Sequence, residues 1–293
     1  MDWLHDPVED LRLAYETERR KPLPDWVSWE WIDDGPRCLR ILRHVPPRLA
    51  GRESVVVYFH GGGWIVGSPA THSDITCGLS EITGFELISV DYGLAPKHRA
   101  MGQIVGGIAV LNDIIGRVPG RSVVLCGDSA GAAIALAVAQ RTPAHLKRNI
   151  SGVCSLYGGF GVFDSSSLRL RGNRADGLDE ACLRRYWRLV NGTAPSPYAI
   201  DSLSQPVPYP CYLLAASDDP LLNDTLLLAK NLKEAGAGVQ LDIANGAKHG
   251  FLHDFPNSHG ALDALKRIGK WLTAVSAGAA TGPGRDDQSE FRF

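Results

Sequence analysis

The chain has 293 residues, with 30 basic against 32 acidic side chains and a formal net charge of -2. So even a balance sets up no long-range field of the kind that gathers nucleic acid or an anionic membrane, and the length allows one large domain with a substantial core. The six cysteines (Cys38, Cys77, Cys126, Cys154, Cys182, Cys211) form no C-x-x-C pair, which gives a zinc site or a disulfide framework little support.

Residues 1–24 read as an amphipathic helix, with Leu4, Val8, Leu11 and Tyr15 at helical spacing and Pro22 and Pro24 ending it. The start has neither a basic end nor an apolar h-region, and no apolar run reaches membrane-spanning length, so the expected compartment is the cytoplasm. Trp26 to Ile32 alternates as a strand does, Asp33 to Pro36 is a turn, and Arg37 to Val45 is the second arm of a hairpin. From there apolar strand runs alternate with helical stretches. The strands are Ser54–His60, Glu86–Asp91, Ser122–Asp128, Gly152–Tyr157, Pro210–Ala216 and Val239–Ile243. The helices are Thr71–Thr83, Ile104–Ile115, an alanine-rich run to Arg141, Asn223–Ala235 and Ala261–Val275. This alternation implies an α/β chain with a mostly parallel central sheet covered by helices on both faces, and ligands bound beyond the carboxyl ends of the strands.

Residues 158–205 are too long for an ordinary connection and carry one expected helix, Asp179 to Val190. With residues 1–24 they are read as a cap or lid. Residues 25–157 and 206–276 then form the catalytic domain, and 277–293 a flexible tail.

Gly127-Asp-Ser-Ala-Gly131 lies between an apolar strand and an alanine-rich helix. A sharp turn there exposes the Ser129 hydroxyl, and glycines two residues to either side remove side chains that would collide. Serine needs a base at neutral pH. His249, in Gly246-Ala-Lys-His-Gly-Phe251 directly after the last strand, stands at the same carboxyl edge. A third group must orient the imidazole, and Asp218, Asp219 and Asp224 compete for that role in the stretch after Ala216. An oxyanion needs amide donors. Glycines after His60 let the backbone approach a substrate closely, so Gly62 and Gly63 with Ala130 make a candidate three-donor hole.

Taken together, His60-Gly-Gly-Gly-Trp64, Asp91-Tyr-Gly-Leu-Ala-Pro96, Gly127–Gly131, Asp219-Pro-Leu-Leu-Asn-Asp224 and His249-Gly-Phe251 resemble the hormone-sensitive-lipase-like carboxylesterases of the α/β-hydrolase superfamily. The match runs from about Val55 to Phe251. It implies a small, mainly helical cap and a serine esterase for short- to medium-chain acyl esters that needs no metal or organic cofactor. The triad would be Ser129, Asp219 (the aspartate before proline) and His249, with oxyanion amides at Gly62, Gly63 and Ala130. Trp64, Tyr157, Phe160, Phe163, Trp187, Leu221, Leu222 and Phe251 are candidates for an apolar pocket. An amidase, deformylase or lactonase could use the same triad, and a non-catalytic ligand-binding member of the fold is a third reading. The expected partner is a small acyl ester, not nucleic acid or a membrane, and a homodimer is a possible assembly. The chain departs from the family at Gly93, where arginine is usual, at Lys97 to Met101, and at Asn223.

Overall fold

The computed structural model describes residues 1–33, 38–49 and 54–278. Eight strands form one sheet: β1 (Val27–Asp33), β2 (Cys38–His44), β3 (Ser54–Phe59), β4 (Glu86–Val90), β5 (Ser122–Asp128), β6 (Ile150–Leu156), β7 (Cys211–Ala216) and β8 (Val239–Ala244). Their order across the sheet is β1-β2-β4-β3-β5-β6-β7-β8. The β1–β2 and β2–β4 pairs are antiparallel and the remaining pairs parallel. The expected α/β architecture with a mostly parallel sheet is therefore what the chain adopts. Of the hairpin turn only Asp33 falls within the described residues, and of the tail only Ala277 and Gly278.

The helices are α1 (Val8–Arg19), α2 (Ser73–Thr83), α3 (Ala100–Arg117), α4 (Ala130–Arg141), α5 (Ala144–Lys147), α6 (Ser166–Arg171), α7 (Glu180–Asn191), α8 (Ile200–Leu203), α9 (Leu222–Glu234) and α10 (His259–Ser276). The pleat sends alternate side chains of each strand to opposite faces. Val55, Val57 and Phe59 of β3 join one core with Ile104 of α3 and Ile134 of α4. Val56 and Tyr58 join the other, with Leu79 of α2 and Leu265 and Trp271 of α10. Central strands buried on both faces are continuous apolar runs for this reason. Segment 158–205 holds three short helices, not one. The four to six residues of α6 and α8 are too few to show a helical period.

Two long-range features shape the carboxyl end of the sheet. Segment 158–205 meets the N-terminal segment directly: the Trp3 indole donates to the Ala175 carbonyl at 3.2 Å, and Arg185 donates to the carbonyls of Trp3 (2.7 Å) and Asp6 (2.6 Å). From α1, Arg12 donates to the Ile65 carbonyl at 2.8 Å and the Ala95 carbonyl at 2.6 Å. This one guanidinium ties the glycine-rich loop to the loop containing Gly93. Gly93 itself has φ +72°, and a β-carbon there would lie 2.7 Å from the His98 ring. The arginine usual in the family therefore has no room in this loop, and Arg12 braces it from a different element.

Candidate active site

Ser129 sits between the end of β5 and the start of α4, with φ +51°. The turn is held on both sides of the peptide: the Ser129 amide donates to the Leu156 carbonyl at 2.8 Å, and the Ser129 carbonyl accepts from the amides of Ala132 (3.2 Å) and Gly159 (3.4 Å). A β-carbon on Gly131 would collide with the Phe59 carbonyl, so the helix can approach β3 this closely only with glycine there.

His249 lies in the loop after β8. That loop is fastened to the end of β7 by three hydrogen bonds: Ser217 N to the Ala244 carbonyl (3.1 Å), Asp218 N to the Ala247 carbonyl (2.8 Å), and Gly246 N to the Ser217 hydroxyl (2.7 Å). His249 Nδ1 is 2.8 Å from Asp219 Oδ2, and Nε2 is 2.9 Å from Ser129 Oγ. The carboxylate can only accept, so Nδ1 donates to it and Nε2 is left to accept from the serine hydroxyl. Burial opposes charging the imidazole, but the Asp219 carboxylate outweighs it and the net shift of His249 is upward.

The three competing aspartates have separate partners. Asp219 is 1% exposed; one oxygen accepts from His249 and the other from the Leu221 amide at 2.7 Å, at the approach to α9. The Asp218 side chain is 56% exposed and faces Arg171 at 3.6 Å. Asp224 points the other way and accepts from the amides of Phe160 (2.6 Å) and Val162 (3.3 Å), holding the entry to segment 158–205. Burial raises the Asp224 carboxyl to about 7.

Gly62 (φ +104°) and Gly63 (φ +57°) follow β3 on the opposite side of Ser129. Their amides donate to no acceptor among the described residues. Ala130 is the first residue of α4, where an amide has no intrahelical acceptor. The loop is anchored by Asp128, whose Oδ1 accepts from the Gly61 amide (2.8 Å) and the Tyr58 hydroxyl (2.7 Å). Behind it, Tyr92 donates to the His60 carbonyl at 2.9 Å and stacks on the His60 ring at 4.3 Å. Asp128, inside Gly127–Gly131, therefore links the serine turn to the glycine loop. In the sequence Asp128 stands only as one member of the Gly127–Gly131 motif.

Two cavities reach Ser129. One, of about 650 Å³, is bordered by polar and charged groups including Arg19, His72, Asp128 and His249. The other, about 50 Å³, is lined by Gly63, Trp64, Phe163, Trp187 and Leu221. Four pocket candidates are thus in place around the small cavity. Tyr157, Phe160, Leu222 and Phe251 are not among the residues lining either one. Tyr157 packs edge-on against the His249 ring at 5.2 Å, with Phe251 behind it at 5.9 Å. Phe160 is fully buried core, and Leu222 opens α9. Aromatic residues at strand ends serve core and cleft equally well, so nothing in their spacing separates the two. Conversely, Tyr186 of α7 borders both cavities and was not foreseen. A β-carbon on Gly63 would lie 2.8 Å from its ring, which explains why this loop position needs glycine.

Residues 56–253 match the family described as the alpha/beta hydrolase fold. An acetyl esterase of Salmonella dublin is 33% identical over 235 residues, covering 76% of this chain and 72% of its own. The chain belongs to the hormone-sensitive-lipase-like carboxylesterases of the α/β-hydrolase fold. It is a carboxylic ester hydrolase. Solved structures agree on the fold. A hyperthermophilic esterase of Pyrobaculum calidifontis superposes with a TM-score of 0.81 at 23% identity, over 92% of this chain and 94% of that one. A thermostable carboxylesterase cloned from a metagenomic library does so with a TM-score of 0.82 at 23% identity, over 92% and 98%. No helix among the described residues is long and apolar enough to cross a membrane.

Proposed function

We propose that Ser129, His249 and Asp219 hydrolyse short-chain acyl esters through an acyl-enzyme. The observation that carries this reading is the unbroken hydrogen-bonded line from Ser129 Oγ through His249 to Asp219. His249 takes the serine proton as Oγ attacks the ester carbonyl, and Asp219 stabilises the resulting imidazolium. The carbonyl oxygen, turned anionic, is held by the amides of Gly62, Gly63 and Ala130. His249 then protonates the leaving alcohol and later activates the water that releases the acid.

In this reading the small cavity walled by Trp64, Phe163, Trp187 and Leu221 takes the acyl tail, and the larger polar one takes the alcohol. Residues 1–24 and 158–205 form the cap over both, on a catalytic domain of residues 25–157 and 206–276. The small volume supports short acyl chains, as do the acetyl esterases among the relatives. A series of p-nitrophenyl esters tests it. The kcat/KM for acetate or butyrate should exceed that for decanoate by at least about tenfold, since each unaccommodated methylene costs roughly 1 kcal/mol or more. Rates that rise steadily with chain length would refute the assignment of the cavities.

A pH profile tests the base. Only neutral His249 can accept the serine proton, so kcat/KM should fall as pH drops through its pKa. That acid limb is expected above the 6.5 usual for histidine, because the Asp219 carboxylate favours the protonated ring. Asp219→Asn should move the limb downward.

A further inference from the structure

A second cluster of chemically capable side chains borders the large cavity. One ring nitrogen each of His72 and His253 and a carboxylate oxygen of Asp128 lie within 4.8 Å of one another. His72 and Asp128 are buried and His253 is partly so. All three border the cavity shared with Ser129 and His249. The His253 ring meets His72 edge-on at 4.7 Å and makes no hydrogen bond among the described residues.

Hydrogen-bond directions show what the cluster lacks. The Thr71 hydroxyl donates to the Ser68 carbonyl at 2.9 Å, so its oxygen accepts from His72 Nδ1, also at 2.9 Å. The Ser68 carbonyl, 3.3 Å from the same nitrogen, can only accept. Nδ1 therefore carries the proton and Nε2 a lone pair. That lone pair faces Asp128 Oδ2 at 3.6 Å. The Gly61 amide is shared between the two, donating to Asp128 Oδ1 at 2.8 Å and to His72 Nε2 at 3.2 Å, and no donor among the described residues bonds Asp128 Oδ2. A lone pair opposite a carboxylate oxygen, with a third ring nitrogen beside them, is an arrangement that a cation completes.

We propose that His72, Asp128 and His253 form a binding site for a zinc-class divalent ion, and that filling it inhibits hydrolysis at Ser129. Two imidazoles and one carboxylate suit zinc and its neighbours over calcium or magnesium, which prefer all-oxygen sites. The supporting contacts are present: Thr71 and Ser68 hold His72 by Nδ1, while Tyr58 and Gly61 hold the other oxygen of Asp128. The donors must draw together by roughly an ångström from their widest spacing to reach metal bonds of about 2.0–2.2 Å. His253, on the single-turn segment Phe251–Asp254, is the one whose ring has no hydrogen bond to break among the described residues.

Inhibition follows from charge, and this half rests on the reading of Ser129 and His249 above. His72, Asp128 and His253 border the same cavity as Ser129 and His249, and the Asp128 carboxylate favours a proton on the His249 ring. A dication among them cancels that effect and repels the imidazolium that hydrolysis requires. Arg19, which borders the same cavity and whose charge bears on His72 and His253, opposes the ion.

The test is calorimetric titration of the whole chain with zinc, with anomalous diffraction from zinc-soaked crystals and ester hydrolysis measured in parallel. One ion per chain should appear bonded to His72, Asp128 and His253, and hydrolysis should fall and return on adding EDTA. His253→Ala should weaken binding by at least about tenfold and make hydrolysis insensitive to zinc, while Arg19→Gln should tighten binding. No anomalous peak at this position, or equal zinc affinity in His253→Ala, overturns the site. An ion bound here that leaves hydrolysis unchanged overturns the inhibition. Loss of the Ser129 reading would show separately, as hydrolysis by the zinc-free protein that survives Ser129→Ala.

Discussion

Ser129→Ala is expected to lower kcat on a p-nitrophenyl ester by about a million-fold, the scale on which removing a triad serine acts. The loss corresponds to about 8 kcal/mol of transition-state stabilisation. It should fall on kcat with little change in KM, because the two cavities and the amides of Gly62, Gly63 and Ala130, proposed above to hold the ester, remain. His249→Ala should cost about as much, and the double variant no more than either alone, because serine without a base and a base without serine are equally idle. The fold should be unaffected: Ser129 is fixed by its own backbone, through the Ser129 amide bond to Leu156, and not by its hydroxyl. Unchanged thermal unfolding of Ser129→Ala would establish that the loss is chemical.

The second large effect separates two adjacent residues. Asp219→Asn should reduce kcat by about ten-thousand-fold, since an amide can present its NH2 to Nδ1 and turn the ring to the wrong tautomer. Asp218→Asn should change kcat by no more than about twofold, because its side chain lies mostly in solvent beside Arg171, and exposed ion pairs contribute little. Equal losses in the two variants would mean that the geometry at 2.8 Å from His249 does not decide function.

The difference between these aspartates also marks how far the sequence can be read. The strand runs were legible because central strands buried on both faces must be continuously apolar. The serine turn was legible because Gly127 and Gly131 answer to backbone contacts that no other residue tolerates. Asp218 and Asp219 are chemically identical neighbours, and from the residues alone they stay open. The family resemblance favours the one before proline, and the structure sets that one against His249. Short elements escape for another reason: α5, α6 and α8 have too few residues for a period, and their placement comes from tertiary contacts such as Asn223 accepting from the Ser167 amide at 2.8 Å.

Pocket residues were the least legible. Trp64 and Phe163 line the small cavity while Tyr157 and Phe160 pack elsewhere, although all four stand within two residues of a strand end or a glycine. Which way an aromatic ring turns depends on the neighbours it finds: Tyr157 finds His249, and Trp64 lies parallel to Tyr198 at 5.5 Å. The cluster of His72, Asp128 and His253 was invisible for a related reason. Its members sit on α2's approach, the end of β5 and the turn before α10, and only the fold brings them together.

Reaction of the intact protein with a fluorophosphonate, followed by mass spectrometry of the adduct and its peptides, tests the proposed chemistry most directly. The account predicts one adduct per chain on the peptide containing Ser129, formed in step with loss of ester hydrolysis and absent from both Ser129→Ala and His249→Ala. Hydrolysis that survives complete modification of Ser129, or an inactivating adduct on another residue, would contradict it.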